Sequence, residues 1–297
     1  MNYQEFVNQI KETLSDMYEN TYKIIVNPVK KLNGVEYDGL VVCNPNRNIS
    51  PTIYLNLYYH RYLDGVPFDE IISDIVTTVE EHMPKSDFDI STFTDFNKAK
   101  ERIVYKLINF ERNKDYLEQV PHLRYLDFAL IFQCLIDNEN KQCSSITIRN
   151  EHLDFWDVTL DDLYQIASIN TPKLMPYHLE NMQHFLSKHH PCISENQIHL
   201  NINIYILSCQ NQLFGATCIA YDGLLSKLAL QFNSDFIIIP SSVHEVLLIP
   251  TQQKENLDHL EAQNQEVNET EVSDEDYLSN HAYYFSRMEK ALLTNVG

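Results

Sequence analysis

A five-residue segment in the second half of the chain contains the residue types of a hydrolytic site. Ser241, Ser242, His244 and Glu245 lie within residues 241–245, and serine, histidine and a carboxylate are the groups of acyl-transfer catalysis. In a strand, His244 and Glu245 point to opposite faces, so Glu245 cannot orient the imidazole without a bulge. No G-x-S-x-G motif presents a serine either. The pattern favours a turn whose serines bind their own backbone, with a hydrolase-type enzyme using residues 241–245 as the alternative.

A second polar group follows Pro121. His122 and Arg124 are suited to recognition of a polar partner, and Arg124 is expected to pair with Asp127 across the loop. If the two halves of the chain are equivalent units, residues 111–124 and 240–243 form corresponding loops, and loops on a rigid scaffold commonly carry function. No residue is predicted to be catalytic. The predicted binding residues are His122, Arg124, Ser241, Ser242, His244 and Glu245.

Metal-ligating residue types concentrate in the predicted connector, residues 177–197, and just after it. A zinc site needs three or four ligands that converge tetrahedrally with second-shell support, which a polar connector seldom provides. The sequence has no H-E-x-x-H motif. No metal is therefore predicted for the cluster of His184, His189, His190, Cys192 and His199.

Glycine is scarce in this sequence. There are 6 glycines, and none falls in a G-x-G or G-x-x-x-x-G-K pattern, which are the loops that cradle phosphates in nucleotide-binding proteins. No cofactor is predicted.

The charge excludes several partners. The chain has 22 basic and 42 acidic residues, a formal net charge of −20, which repels nucleic-acid backbones and anionic lipids. No segment approaches the roughly 20 apolar residues of a membrane helix, and the first residues lack the basic start of a signal peptide. The 6 cysteines include no C-x-x-C pair, which is typical of reduced thiols. We expect a cytoplasmic protein that binds neither nucleic acid nor membranes.

Hydrophobic periodicity predicts an α+β fold. In the first half, amphipathic helices over residues 3–17, 53–63 and 67–83 alternate with strands, including a hairpin at Asn33-Gly34. In the second half, a helix capped by Thr159 and Asp162 precedes a hairpin of residues 202–206 and 213–221, and a helix and a strand pair follow. Each half thus has the order helix, strand pair, helix, strand pair. The prediction is two tandem, intimately packed units, 1–158 and 159–297, the second with an acidic tail, and a single compact domain stays open as the alternative.

Several blocks of sequence resemble a known family over nearly the whole chain. The resemblance is to an uncharacterised bacterial domain-of-unknown-function family, number 5688, of Gram-positive gut bacteria. It implies no substrate, cofactor or catalytic residue. The blocks are NISPTIYLNLYY (48–59), VPHLRYLDFALIF (120–132), NEHLDFWDVT (150–159), IASINTPKLMP (166–176), SDFIIIPSSVHEVLLIP (234–250) and VNETEVSDEDYLSNHAYYF (267–285).

These observations favour a binding function over a catalytic one. An enzyme would need a recognisable nucleophile, metal set or phosphate loop, whereas a binding protein needs only a surface. We expect a non-catalytic protein-interaction or regulatory role with an unknown protein partner, and the oligomeric state is left open.

Overall fold

The computed structural model describes residues 1–19, 21–84, 86–136, 144–189, 203–210, 213–251 and 257–293. These residues form helices and three antiparallel sheets, which confirms the predicted α+β class. The chain divides into two compact units, Met1–Ile90 and Ser91–Gly297, whereas the sequence pattern predicted a division after residue 158. None of the helices in the described ranges has the length and apolarity needed to cross a membrane.

In its described residues, the first unit contains a three-stranded sheet, three α-helices and a short 3₁₀ helix, Leu32–Gly34. Asn2 caps the first helix, because its side chain accepts a hydrogen bond from the Glu5 N–H and the Glu5 carboxylate accepts one from the Asn2 N–H. The predicted helix over 53–63 begins two residues later, since residues 52–54 pair with the neighbouring strand. The elements are α1 (Tyr3–Met17), β1 (Lys23–Lys30), β2 (Glu36–Cys43), β3 (Thr52–Tyr54), α2 (Leu55–Leu63) and α3 (Phe68–His82), with the strands in the order β1-β2-β3.

The core of the first unit lies between one face of this sheet and the helices. Register places Ile24 opposite Val42 and Leu40 opposite Ile53, and all four side chains are buried. The helices contribute apolar residues at spacings of three and four, as an amphipathic helix requires. These fully buried helix residues are Phe6, Ile10, Leu14, Ile71 and Ile75.

The second unit begins with a four-stranded sheet. Its central strand, β6 (Phe128–Ile136), pairs with β4 (Ile103–Asn109) along one edge and with both β5 (His122–Tyr125) and β7 (Ser144–Thr147) along the other. Every residue of β4 is buried. The helices of this part are α4 (Ser91–Thr94), α5 (Phe96–Ala99), α6 (Lys114–Leu117), α7 (Asn150–Trp156) and α8 (Leu160–Leu174).

A six-stranded antiparallel sheet completes the second unit, in the order β13-β12-β10-β11-β9-β8. Its strands are β8 (Tyr177–Asn181), β9 (Tyr205–Cys209), β10 (Asp235–Ile239), β11 (Val246–Thr251), β12 (Tyr283–Ser286) and β13 (Ala291–Leu293). Its helices are α9 (Met182–His189), α10 (Leu224–Phe232) and α11 (Leu257–Thr270).

The predicted hairpin of residues 202–206 and 213–221 is wrong. Gly215–Ala220 form a 3₁₀ helix that follows a left-handed Phe214, φ 55°. Gly215 permits this path, because a Cβ there would collide with the Ser208 hydroxyl and the His244 carbonyl oxygen. Cys209 and Cys218 are buried free thiols, and each has a backbone carbonyl as hydrogen-bond acceptor.

The unpaired edge of β4 is covered by threonine side chains. The Tyr105 N–H donates to Thr171 Oγ1, and the Leu107 N–H donates to Thr217 Oγ1, both at 3.1 Å. Both threonines are fully buried. Because a buried N–H without an acceptor costs free energy, these hydroxyls end the sheet without leaving its edge unsatisfied.

Candidate functional site

The turn of residues 241–245 joins β10 to β11 and pairs with the segment of residues 273–283. The Ser241 carbonyl accepts a hydrogen bond from the Leu278 N–H at 3.1 Å, and the Val243 N–H donates to the Asp276 carbonyl at 2.9 Å. Ser242 forms an isolated β-bridge with Tyr277. The backbone of the turn is therefore fixed by residues more than thirty positions away.

Both ring nitrogens of His244 have hydrogen-bond partners. Nε2 lies 3.1 Å from Asp276 Oδ1, and Nδ1 accepts from the Phe214 N–H at 3.4 Å. The His244 ring also stacks on the Phe214 ring, with centroids 5.8 Å apart. Since a backbone N–H can only donate, Nδ1 is the acceptor, and the ring proton of the neutral imidazole is on Nε2 and is donated to Asp276.

The surroundings of His244 favour its protonated form. The hydrogen bond to Asp276 raises the pKa of His244, partial burial opposes this, and the charges of Glu245 and Glu275 add to the rise. The side chains of His244 and Asp276 are 30% and 38% exposed, so solvent screens the pair. Protonation of Nδ1 would break its hydrogen bond from the Phe214 N–H, so that bond opposes the protonated form.

The hydroxyl of Ser242 stabilises the backbone of the turn. Ser242 Oγ accepts a hydrogen bond from the His244 N–H at 3.1 Å, as in the turn interpretation of the sequence. Ser208 Oγ, on β9, donates to the His244 carbonyl at 2.8 Å. In the described part of the chain, no hydroxyl is hydrogen-bonded to the His244 ring.

The carboxylate beside His244 is Asp276 and not Glu245. Glu245 is exposed, whereas Asp276 reaches His244 from the 273–283 segment. Sequence reasoning missed Asp276 because it lies thirty-two positions away, among the acidic residues of the predicted tail. A local motif search has no signal for such a pair.

Lys106 is a second residue that the sequence did not indicate. It lies in the middle of β4 with only 8% of its surface exposed, and its Nζ is 4.1 Å from the centroid of the Phe214 ring. A buried ammonium above an aromatic face gains from the negative potential of the ring. Phe214 thus lies against Lys106 and His244, and it links β4 to the turn.

His122 and Arg124 lie on β5 and make local contacts. His122 Nδ1 is 3.1 Å from the Val120 carbonyl oxygen. The Arg124 Nε donates to the Leu126 carbonyl at 2.6 Å, and its guanidinium lies 3.7 Å from the centroid of the Phe110 ring. The carboxylate nearest to Arg124 is Glu111, at 4.0 Å. The expected pairing of Arg124 with Asp127 is wrong.

Asp127 instead holds the 273–283 segment from the inside. It accepts hydrogen bonds from the Tyr283 hydroxyl and from Ser279 Oγ, the latter at 2.7 Å. Both donors are buried. Asn109 adds a hydrogen bond to the Leu278 carbonyl at 2.8 Å, so this segment lies between the four-stranded sheet and the 241–245 turn.

His122 and Arg124 lie on the same face of the four-stranded sheet as Lys106. Register places His122 opposite Ile131 and Ile131 opposite Lys106, so the three side chains point to the same face. Lys106 contacts Phe214, and Phe214 contacts His244. In the described residues no hydrogen bond or ring contact joins His122 or Arg124 directly to residues 241–245.

Metal-binding and thiol chemistry have little support in the described residues. No group of three or more histidine, cysteine, aspartate or glutamate residues there is arranged to hold a metal ion. His190, Cys192 and His199 of the predicted cluster lie outside the described residues. Burial raises the pKa of Cys134 to about 11 and that of Cys218 to about 12, so both thiols stay protonated and unreactive at neutral pH.

The fold and this site define an α+β protein with a histidine–aspartate pair at its surface, His244 and Asp276. Among the described residues it is the one ion pair between a histidine and an aspartate, and hydrogen bonds hold it to the 241–245 turn. The chain belongs to the family of unknown function DUF5688, whose model matches residues 3–287, and this confirms the resemblance seen in the sequence. No curated protein and no solved structure matches the chain.

Proposed function

We propose that this protein is a non-catalytic interaction or regulatory protein of a bacterial cytoplasm. Its docking surface consists of the 241–245 turn together with His122 and Arg124. The observation that carries the proposal is the state of His244, whose two ring nitrogens are bound to Asp276 and to the Phe214 N–H. A general base needs a free nitrogen for the proton it abstracts.

The proposed docking surface is suited to polar recognition. Glu245 and Arg124 are exposed, and Ser241, Ser242 and His122 are partly exposed. The backbone of the 241–245 turn is fixed by hydrogen bonds to the 273–283 segment, so little conformational entropy of this turn is lost when a partner binds. A fixed polar surface without a nucleophile supports binding over catalysis.

A capture experiment with matched variants tests the proposal. The tagged full chain, the double variant His122→Ala/His244→Ala and the control Lys11→Ala, exposed on α1, are cross-linked in lysate of the source cells, and captured proteins are quantified by mass spectrometry. We expect a partner that the wild type and Lys11→Ala capture equally and the double variant loses. Equal capture by all three would contradict the proposed surface.

A hydrolase is the second candidate, and one observation favours it. A histidine held by an aspartate at 3.1 Å is the base and orienting group of a hydrolytic triad. Ser242 is the nearest serine in sequence, but its Oγ accepts the His244 backbone N–H. Catalysis would require Ser242 to turn toward the ring and the Phe214 N–H to release Nδ1.

A further inference from the structure

The strand β8 forms one edge of the six-stranded sheet, and half of its backbone groups point away from the sheet. The Gln210 N–H donates to the Pro176 carbonyl, and the Met182 N–H donates to the Ile204 carbonyl, both at 2.9 Å. In an antiparallel ladder, bonded and non-bonded residues alternate. Pro176 and Met182 are even-numbered, so the even-numbered residues of β8 direct their N–H and C=O groups toward β9. The N–H and C=O groups of Tyr177, Leu179 and Asn181 therefore face away from β9.

Two other sheet edges, those of β1 and β4, carry features that discourage pairing. β1 contains Pro28 and has a lysine at each end, and the edge of β4 is covered by Thr171 and Thr217. Proline, lysine and covering groups are the usual protection of sheet edges. β8, with the sequence Tyr-His-Leu-Glu-Asn, has no proline or lysine, and no described residue pairs with its outer edge.

The side chains of β8 are complementary to those of a second β8. In an antiparallel pair centred on Leu179, His178 of one chain lies opposite Glu180 of the other, and the reverse pair forms by symmetry. Opposite charges at directly opposed positions stabilise a strand pair. These positions are the non-hydrogen-bonded ones, where side chains lie closest. Within one chain, His178 and Glu180 lie on the same face of β8, with His178 Nε2 3.6 Å from Glu180 Oε2.

The charge of this region permits self-association of an otherwise acidic chain. Between Lys173 and Lys188 the sequence contains a single acidic residue, Glu180. Two copies of a chain with a net charge of −20 repel each other, and the repulsion is weakest where acidic residues are few. The β8 edge is such a place.

We propose that the protein forms a symmetric homodimer through antiparallel pairing of β8 with β8 of a second copy, which makes one continuous twelve-stranded sheet from two six-stranded ones. Leu179 exchanges two backbone hydrogen bonds with its copy. On each side, the Asn181 N–H donates to the Tyr177 carbonyl of the other chain. This inference is independent of the proposed docking surface.

A pair of introduced cysteines tests the register directly. In the double variant His178→Cys/Glu180→Cys, each new cysteine lies opposite one from the second chain at a Cα separation of about 4.5 Å, within the range that a disulfide spans. Oxidation should give a covalent dimer with bonds between positions 178 and 180. His178→Cys and Glu180→Cys alone place their cysteines diagonally, about 8 Å apart, and should not cross-link above the wild-type level.

The oligomeric state gives the second measurement. Light scattering after size exclusion should show twice the chain mass for the wild type. Leu179→Pro should stay monomeric at protein concentrations about ten-fold higher than those at which the wild type is dimeric. The Leu179 N–H makes no bond to β9, so proline removes only an outward donor. A monomeric wild type, a dimer unaffected by Leu179→Pro in a folded variant, or equal cross-linking of the single-cysteine variants would each overturn the proposal.

Discussion

Two aspartates hold the 273–283 segment of the second unit, and their surroundings give them different roles. Asp127 accepts hydrogen bonds from Tyr283 and Ser279, whose side chains are buried. Asp276 binds His244 where both side chains are about one-third exposed. The first is a structural acceptor for two buried donors, and the second binds a partly exposed histidine.

Both aspartates are themselves partly exposed, so the burial of their hydrogen-bond partners is what distinguishes them. Burial and the neighbouring carboxylate of Asp127 raise the pKa of Tyr283, so this hydroxyl stays protonated and keeps donating. At the surface, Asp276 raises the pKa of His244, but solvent screens the interaction. The two sites should therefore respond very differently to substitution.

The largest effect is expected at Asp127. Asp127→Ala leaves the Tyr283 and Ser279 hydroxyls without this acceptor in buried positions, which we expect to lower the free energy of unfolding by about 3 kcal/mol. Asp127→Asn keeps an acceptor oxygen and should cost distinctly less. Urea denaturation monitored by circular dichroism measures both, and a loss below about 1 kcal/mol for Asp127→Ala would contradict the structural role.

A second comparison sets a buried threonine hydroxyl against an exposed one. Thr217→Val keeps the shape of a fully buried side chain but removes the acceptor of the Leu107 N–H, and we expect a loss of about 1–2 kcal/mol. Thr270→Val, at an exposed helix position, should change stability by less than about 0.5 kcal/mol. Equal effects of the two substitutions would show that burial is not the deciding factor.

The smallest effect is expected at His244, and it depends on pH. The pKa of His244 is raised in the folded protein, so its bond to Asp276 contributes stability below the unfolded value of about 6.5 and loses it as pH rises past the folded value. Protonation of Nδ1 removes the long 3.4 Å hydrogen bond from the Phe214 N–H, which offsets part of this contribution. His244→Asn should thus destabilise the protein at about pH 5.5 and have almost no effect at about pH 9. Asp276→Asn should show the same dependence, and a larger effect at alkaline pH would be inconsistent with the pair.

Much of the fold followed from local sequence signals. The cap of α8 was predicted from Thr159 with Asp162, and this capping box is present. The apolar stripes of α1 and α3 are buried as expected. These features depend on residues three or four positions apart, so the sequence displays them directly.

The elements that were missed depend on distant residues. Gly215–Ala220 resembles a strand in composition, but it forms a 3₁₀ helix because Gly215 packs against Ser208 and the His244 carbonyl. Asp276 and Lys106 belong to the candidate site only through contacts with His244 and Phe214. Tertiary packing decides such positions, and no local period or motif records them.

The most direct test of the non-catalytic role asks whether Ser242 is a nucleophile. The wild-type protein is incubated with a fluorophosphonate, which reacts with serines activated by a histidine base, and intact mass and peptide mapping locate any adduct. We predict no adduct on Ser241 or Ser242, because the His244 ring is bound to Asp276 and to the Phe214 N–H. Stoichiometric labelling of Ser242 that disappears in both His244→Ala and Asp276→Asn would contradict the account and establish the hydrolase.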